Sequence, residues 1–402
     1  MSTTSHSPLT TPAAPRAARR VMHLLTQLPH GQLRVVLPNG QTLMCGHSAT
    51  PSASLRVHQW SVFSDLLSSG DVGFAQAFRQ GLWDTPDLTA LLRLALVNRR
   101  HLDDLIHGHW LGGLVHRIRH WMRRNTRANS KKNIQAHYDL GNDFYRLWLD
   151  ESMMYSAASF DGQWDRPLAQ AQDRKIQRVL DMAQVQSGDR VLEIGCGWGG
   201  LAELATRERG AQVTGLTLSP AQLTWAQERL QAQGLSADLR LQDYRDVTDG
   251  PFDAICSIEM FEAVGQAYWP AYFQAVHRLL KPGGRACVQT ITIDDSLFER
   301  YLSGTDFIQQ FIFPGGCLPS PSEFRRQAEA AGLRVVGEHS LRLDYAHTLR
   351  LWHQAFMAKR GSVMAMGFDE VFIRTWQFYL SYCEAGFEEA STDVIQFALV
   401  RD

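Results

Sequence analysis

Apolar and polar positions recur with two different periods along the chain, and these periods predict its helices and strands. Leu33–Leu43 carries Pro38-Asn39-Gly40 between two apolar stretches, a pattern typical of a β-hairpin. From Val62 to about Trp121 the apolar residues recur mostly at helical spacing. From Asp189 onward, short apolar runs alternate with helical segments. The runs predicted to be strands are Arg190–Gly195, Val213–Leu218, Ala254–Ile258 and Ala286–Ile293.

This alternation predicts an α/β fold, a Rossmann-like doubly wound sheet that binds its ligand at the carboxyl ends of its strands. A smaller, mainly helical N-terminal domain is expected to precede it. A length of 402 residues fits two domains. Residues 1–18, rich in Ser, Thr, Pro and Ala, are predicted to be a disordered tail. The expected domains are residues 19–125 and 126–402.

Composition narrows the class of protein. No run of 18 apolar residues and no signal-peptide pattern is present, so a cytoplasmic protein is expected. The six cysteines are scattered without CxxC pairs, which favours reduced thiols and no metal site.

Charge is divided unevenly along the chain. Residues 1–132 hold 16 Lys and Arg against 6 Asp and Glu, whereas the remainder is acidic. Within this part, Leu114–Lys132 has seven cations, no acid, and interleaved Ile118, Trp121 and Met122. An amphipathic basic helix of this kind suits an anionic membrane surface, with an interdomain linker as the alternative. Charge alone leaves nucleic acid, anionic phospholipid and a merely solvated basic face open. Together with the motifs described below, it leads us to expect a peripheral protein on the inner face of the membrane, and no nucleic acid as partner.

A candidate nucleotide site follows the first strand of the sheet. Glu193-Ile194-Gly195-Cys196-Gly197-Trp198-Gly199 is a strand end that runs into a glycine-rich turn and then a helix. The second strand ends at Thr217-Leu218-Ser219, without the acid that a dinucleotide enzyme more often has there. Gln242-Asp243-Tyr244 then offers a carboxylate and an aromatic ring. This ordered set resembles class I S-adenosylmethionine methyltransferases.

Further segments make the resemblance narrower. With the glycine-rich turn, they resemble the cyclopropane fatty acid synthase family, which includes mycolic acid cyclopropane synthases and methyltransferases of branched and furan fatty acid pathways. The resemblance covers about residues 55–402. The segments that carry it are Gly70–Gly73, Gly81–Asp84, Ala136–Tyr145, Met154–Ser156, Gln242–Asp246, Met260–Glu262 and Phe311–Pro319.

The resemblance implies a role for each matching position. Glu262 and Tyr345 correspond to catalytic residues around a bound bicarbonate that acts as the base. The resemblance also implies that residues 19–125 form a lipid-binding domain and residues 126–402 an S-adenosylmethionine-dependent methyltransferase domain. Within the second domain, residues beyond Phe311 would cap an acyl-chain site. The positions that correspond to S-adenosylmethionine-binding residues are Tyr155, Ser156, Gly195, Gly197, Thr217, Leu218, Gln222, Tyr244 and Ile258.

Three positions depart from the family pattern. Ala157 replaces a cysteine, Ala263 a histidine after the catalytic glutamate, and Gln289 a histidine. Gln289 still donates a hydrogen bond but carries no charge, so bicarbonate binding is doubtful. Either bicarbonate survives with fewer partners, or Glu262 itself is the base. Glu259 is a nearby spare carboxylate, interpreted here as a solvated loop acid.

The reaction that these residues would serve is methyl transfer to the double bond of an unsaturated phospholipid acyl chain. It produces a carbocation, which requires a dry site with electron-rich groups. Candidate aromatic residues, each also explicable as core packing, are Tyr155, Phe160, Tyr268, Trp269, Phe273, Phe307, Phe311, Phe313 and Tyr345. A cyclopropane chain is the expected product, with a methylene- or methyl-branched chain as the alternative. A small-molecule O- or N-methyltransferase and a non-catalytic lipid-binding protein are the rival hypotheses, and a homodimer is left open.

Overall fold

The computed structural model describes residues 14–106 and 140–402. The N-terminal part has four helices, α1 Arg16–Thr26, α2 Ser61–Arg79, α3 Leu88–Val97 and α4 Arg99–Ile106. Its strands are β1 Gln32–Val36, β2 Thr42–Cys45, β3 Ser52–Val57 and β4 Trp83–Asp84. Helix α1 begins inside the predicted tail, because Ala18, Val21, Met22 and Leu25 form one buried face. Residues 1–13 of that tail lie outside the described residues.

Strands β1 and β2 form the predicted hairpin. They pair antiparallel with Val36 opposite Thr42, and Gly40 in the turn has a φ of 84°. The small sheet has the order β2-β1-β3-β4. Strand β3, which runs parallel to β1, was not predicted, because this pairing joins segments that are distant in sequence.

The second part contains a seven-stranded sheet in the order β10-β11-β9-β8-β5-β6-β7. Its strands are β5 Arg190–Ile194, β6 Gln212–Thr217, β7 Asp238–Leu241, β8 Phe252–Ile258, β9 Leu280–Ile293, β10 Leu333–Ser340 and β11 Thr392–Arg401. Strands β5 to β9 are parallel, and β11 is antiparallel to both of its neighbours. The four predicted strands and the Rossmann-like class are confirmed.

Helices cover this sheet and extend beyond it. They are α5 Asn142–Arg146, α6 Leu168–Met182, α7 Gly200–Arg209, α8 Pro220–Ala232, α9 Trp269–Leu279, α10 Asp295–Ser303, α11 Phe307–Phe311, α12 Pro321–Ala330, α13 Arg342–Ala358, α14 Arg360–Ala365 and α15 Glu370–Glu388. Strand β5 lies between β6 and β8, so the order in which the strands are added to the sheet reverses at β5. A crevice at the carboxyl ends of these strands is where such folds bind ligands.

The two parts share one hydrophobic core. Helices α2 and α3 pack against α15, and Phe78 of α2 meets Phe378 of α15 with ring centroids 5.7 Å apart. Arg79 donates to the Thr375 hydroxyl at 2.7 Å across the same contact. The predicted boundary between residues 125 and 126 and the basic stretch Leu114–Lys132 lie outside the described residues.

Two observations bear on the expected class of protein. Among the helices of residues 14–106 and 140–402, none is long and apolar enough to cross a bilayer. All six cysteines lie in these ranges and are free thiols.

Candidate active site

The glycine-rich turn lies between β5 and α7. Gly195, Gly197 and Gly199 have φ values of 88°, 50° and 85°, a left-handed conformation that favours glycine. A Cβ at Gly195 would lie 2.8 Å from the Met260 side chain, whereas one at Gly197 would meet nothing within 4 Å. The turn therefore leaves open space directly above Gly197, as a loop that binds S-adenosylmethionine requires.

The remaining predicted cofactor positions lie at the same edge of the sheet. Thr217 ends β6, and its hydroxyl donates to Gln222 Oε1 at 2.8 Å. Ile258 ends β8, and Tyr244 follows β7 in a 3₁₀ turn. Since β5, β6, β7 and β8 are parallel, their carboxyl ends bring these residues to one crevice.

The Gln242–Tyr244 segment is more enclosed than its sequence indicates. The Asp243 carboxylate accepts hydrogen bonds from the Arg245 guanidinium at 2.8 and 2.6 Å, so an internal ion pair engages it. Tyr244 is 9% exposed and packs edge-on against Tyr272, with ring centroids 5.4 Å apart.

Asn142 and Tyr145, from another of the segments that carry the family resemblance, contact the glycine-rich turn. Trp198 Nε1 donates to Asn142 Oδ1 at 2.8 Å, and the Trp198 ring lies 5.2 Å from that of Tyr145. These contacts join α5 to the turn. His137 and Tyr138 of the same segment lie outside the described residues.

Two buried side chains of helix α6 donate hydrogen bonds to Ser156 in the Tyr155-Ser156 turn. Gln172 Nε2 donates to the Ser156 carbonyl at 2.9 Å, and Lys175 Nζ donates to the Ser156 hydroxyl at 2.6 Å. Gln172 and Lys175 are both fully buried, on the same face as the apolar residue Ile176. Sequence reasoning missed both residues. Two polar residues at buried positions of an amphipathic helix were the signal that could have revealed them.

Two of the predicted catalytic residues, Gln289 and Tyr345, lie around the carboxylate of Glu259, which was interpreted from the sequence as a solvated loop acid. Glu259 Oε1 accepts hydrogen bonds from Ala157 N and from Gln289 Nε2, both at 2.8 Å. The Tyr345 hydroxyl is close enough to this carboxylate to influence its pKa. The interpretation of Glu259 as a solvated loop acid is therefore wrong. It failed because the donors come from segments about 100, 30 and 86 residues away, which only the tertiary fold brings together.

The backbone at Glu259 is unusual. Its φ is 47°, a left-handed conformation that non-glycine residues rarely adopt. Its own N–H donates to the Gln289 carbonyl at 2.8 Å, which fixes this conformation. Such local strain is frequently found at functional sites, where the surrounding structure maintains it.

Glu262 lies one 3₁₀ turn beyond Glu259 and accepts a hydrogen bond from the Ile291 N–H. Burial, and then the negative charge of Glu259, raise the pKa of Glu262 to about 8. Burial also raises the pKa of Glu259, but the Lys175 ammonium and donors from Ala157, Gln289 and Tyr345 oppose this rise. Of the two carboxyls, Glu259 is therefore the one whose negative charge is favoured, because the Lys175 ammonium lowers its pKa whereas Glu259 raises that of Glu262.

Aromatic rings surround the Tyr155 side of this cluster. Tyr155 lies 5.6 Å from Trp148 and 5.4 Å from Trp352, and Tyr345 lies 5.9 Å from Trp352, measured between ring centroids. Of the predicted aromatic residues, Tyr155 and Tyr345 therefore both pack against Trp352, and Tyr345 also lies close to Glu259. Trp269 and Phe273 instead pack with Phe261 in the core beside the sheet, and both are 0% exposed.

Comparisons with known proteins agree with this geometry. Residues 125–397 match the family model described as mycolic acid cyclopropane synthetase. The tuberculostearic acid methyltransferase of Mycobacterium tuberculosis is 39% identical over 98% of this chain and 93% of its own length. The cyclopropane-fatty-acyl-phospholipid synthase of Escherichia coli is 34% identical over 87% of this chain and 88% of its own.

Solved structures give the same result. The cyclopropane synthase MmaA2 from Mycobacterium tuberculosis superposes with a TM-score of 0.63 at 32% identity, over 67% of this chain and 98% of that one. A mycolic acid cyclopropane synthase complexed with SAH and CTAB superposes with the same TM-score at 35% identity, over the same shares. S-adenosylmethionine is thus the cosubstrate. The chain belongs to the mycolic acid cyclopropane synthetase family of S-adenosylmethionine-dependent methyltransferases, which act on lipid acyl chains.

Proposed function

We propose that this enzyme methylates the double bond of an unsaturated phospholipid acyl chain and uses Glu259 as its base. One observation carries the proposal: the Glu259 carboxylate already takes hydrogen bonds from Ala157 N and Gln289 Nε2, with the Tyr345 hydroxyl nearby. Ala157 and Gln289 are the two positions whose departure from the family pattern made bicarbonate binding doubtful. A carboxylate of the chain thus fills the place expected for the anion, and the site does not fit bicarbonate.

The charges of Glu259 and Glu262 suit different roles for the two residues. The Lys175 ammonium favours the ionised form of Glu259, so Glu259 is the better proton acceptor, whereas burial and the charge of Glu259 raise the pKa of Glu262 to about 8. Glu262 was one of the two bases considered from the sequence. We assign Glu262 a structural role instead. It accepts a hydrogen bond from the Ile291 N–H and so fixes the β9 backbone close to Gln289.

The chemical step balances with these groups alone. S-adenosylmethionine, when bound, supplies an electrophilic methyl group. The alkene π electrons form the new C–C bond, which leaves a cation on the adjacent carbon beside the electron-rich rings of Tyr155 and Trp352. A 1,2-hydride shift moves the cation to the methyl-bearing carbon. Glu259 then takes a proton from the methyl group, and the C–H electron pair forms a double bond between that carbon and the chain, which gives a methylene (C=CH₂) branch.

The product that we propose is therefore a methylene-branched acyl chain. The tuberculostearic acid methyltransferase, similar over nearly the whole chain, carries a name consistent with methyl branching. A saturated branch would need a separate reduction. The second candidate product is a cyclopropane chain, supported by the family model and by the Escherichia coli relative. It would form if Glu259 removed the methyl proton before the hydride shift.

Variants of Glu259 test the base. Glu259→Gln keeps the size but cannot accept the proton, so turnover should fall by at least about 100-fold. Glu259→Gly relieves the positive φ and leaves the donors of Ala157, Gln289 and Tyr345 around a hole. Added bicarbonate should then stimulate Glu259→Gly and leave the wild type unchanged. Glu299→Gln, an exposed carboxylate on α10, is the control.

The readout is mass spectrometry of phospholipid acyl chains, which separates branched from cyclopropane products. Strong stimulation of the wild type by bicarbonate would overturn the assignment of Glu259. A cyclopropane product from the wild type would leave Glu259 as the base but replace the proposed branched product.

Binding to the membrane surface rests on the basic stretch. Neutralising Arg117, Arg119, Arg123 and Arg124 should weaken binding to anionic vesicles by several kcal/mol, at about 1 kcal/mol per cation near the surface. A matched control neutralises four arginines that pair with carboxylates elsewhere: Arg325, Arg326, Arg334 and Arg360. Vesicle flotation at low salt is the measurement. Equal binding by both variants would rule out this stretch as the membrane contact.

A further inference from the structure

The base has a layer of buried polar residues beneath it that take no direct part in methyl transfer. Lys175 lies on α6, where it is 0% exposed, and Gln396 lies on β11, also 0% exposed. A fully buried lysine and a fully buried glutamine are costly unless each is hydrogen-bonded or paired. Both residues make contacts that lead to Glu259.

Gln396 controls the orientation of Gln289. The two residues are directly opposite each other on β11 and β9, and Gln396 Nε2 donates to Gln289 Oε1 at 2.9 Å. The Lys175 carbonyl is a second acceptor for the same amide, at 3.4 Å. Two acceptors on one side define which way the Gln396 amide faces. Gln289 must then present its own NH₂ group to Glu259, at 2.8 Å.

Lys175 places a positive charge under the turn that contains Ser156. Its ammonium donates to the Ser156 hydroxyl at 2.6 Å. Ser156 adjoins Ala157, whose N–H donates to Glu259 at 2.8 Å, so the ammonium lies beside the segment that holds the base. The carboxylates whose charge acts on it are Glu259, Asp150 and Glu193. Burial lowers the pKa of Lys175 to about 8, and these carboxylates oppose the lowering, so the side chain is charged at neutral pH.

We propose that Lys175 and Gln396 are positioning residues for the base, the first holding the negative charge of Glu259 and the second the orientation of its donor Gln289. This inference rests on the proposed role of Glu259. It extends the site to α6 and β11, two elements that supply no residue to the predicted set. The ionisation of the base is then set by the helix that also holds the Ser156 turn.

The charge is tested by Lys175→Met, which keeps an unbranched side chain and removes the ammonium. Lys175 stabilises ionised Glu259 and so keeps the pKa of that carboxyl lower than burial alone would allow. Without it the pKa of Glu259 rises, and the acid limb of the kcat–pH profile should move to higher pH by about one unit or more. Arg174→Met is the control, because Arg174 lies on the same helix but pairs with Asp161 at the surface.

The outcomes separate this inference from the function itself. An acid limb that stays at the wild-type pH, with activity reduced equally at every pH, would make Lys175 merely structural and overturn its role. If the Glu259→Gln variant is inactive in the same assay, the proposed function of Glu259 as the base still stands. An active Glu259→Gln variant would overturn the proposed function instead.

Gln396→Met provides a second test that does not depend on how Lys175→Met folds. It keeps the buried volume but removes the donor to Gln289. We expect kcat to fall about tenfold with an unchanged KM for S-adenosylmethionine, the size of effect expected for one lost hydrogen bond. In a Gln289→Met background the same change should have no further effect, since the two residues act in series. Additive losses would contradict the orientation role.

Discussion

At the scale of single residues, the site depends on backbone conformations that are rare for most amino acids. Gly197 and Glu259 both have positive φ values, 50° and 47°, at the carboxyl ends of neighbouring strands. At Gly197 the conformation leaves space for a ligand. At Glu259 it directs a carboxylate toward Ala157 and Gln289, although glycine would adopt this conformation more easily. The same backbone conformation thus leaves open space at Gly197 and places the Glu259 carboxylate among its donors.

Gly197→Val should abolish binding of S-adenosylmethionine, because the side chain would occupy the open space above the turn. Gly188→Val is a matched control. Gly188 also has a positive φ, 85°, and open space around it, but it precedes the amino end of β5. Both variants carry comparable backbone strain, so only Gly197→Val should lose affinity by calorimetry, by at least about 100-fold. Near wild-type affinity in Gly197→Val would sink the assignment of this turn.

At the scale of elements, the Gly70–Gly73 segment, one of those that carry the family resemblance, determines the direction of helix α2. The helix is interrupted at Gly70, whose φ of 58° and ψ of −136° are outside the helical region. A Cβ at Gly73 would come within 2.2 Å of the Asp65 carbonyl, so the two halves approach closely there. The kink directs the second half toward α15, where Arg79 bonds to Thr375. The Gly70–Gly73 segment therefore orients the N-terminal part against the enzyme's core.

Gly70→Ala should destabilise the protein by about 1–3 kcal/mol, because alanine is strained at this φ and ψ. Gly361→Ala is the matched control. Gly361 lies exposed in α14, with nothing within 4 Å of an added Cβ. There the change should stabilise by up to about 1 kcal/mol, since alanine has the higher helix propensity. Urea denaturation measures both, and equal effects of the same sign would contradict the kink's conformational role.

At the scale of the whole molecule, the N-terminal part and the C-terminal helices form one packed unit. Arg374 of α15 donates to the main-chain carbonyls of Phe78 and Trp83 and to Asp84. Its guanidinium also stacks 4.0 Å from the centre of the Phe78 ring. Tyr379 of the same helix bonds to Tyr155 at 2.7 Å. Helix α15 therefore connects the N-terminal part to the Tyr155-Ser156 turn of the site.

Arg374→Leu should destabilise the whole chain by about 2–4 kcal/mol, because it removes the guanidinium hydrogen bonds to the carbonyls of Phe78 and Trp83 and to Asp84, and the contact with the Phe78 ring. Unfolding should remain a single transition, since the two parts share a core. Arg334→Leu, which removes an exposed ion pair with Asp402, should have no measurable effect. Calorimetric unfolding is the measurement. Two separate transitions in the wild type would show that the parts fold independently.

Local patterns determined much of this protein. Periodicity located the hairpin at Pro38–Gly40 and the strands β5, β6, β8 and β9, because burial on a sheet is visible in the apolar runs themselves. The glycine-rich turn was equally readable, since positive φ values favour glycine. These features depend on neighbours in sequence, and sequence motifs report them directly.

Tertiary structure decided the identity of the candidate base. Glu259 resembles any loop acid until Ala157, Gln289 and Tyr345 converge on it from three other elements. Lys175 and Gln396 become meaningful only once α6 and β11 are packed beneath that carboxylate. The reason is physical: whether a charge is solvated or buried among donors depends on contacts between distant segments, and a local pattern contains no record of them.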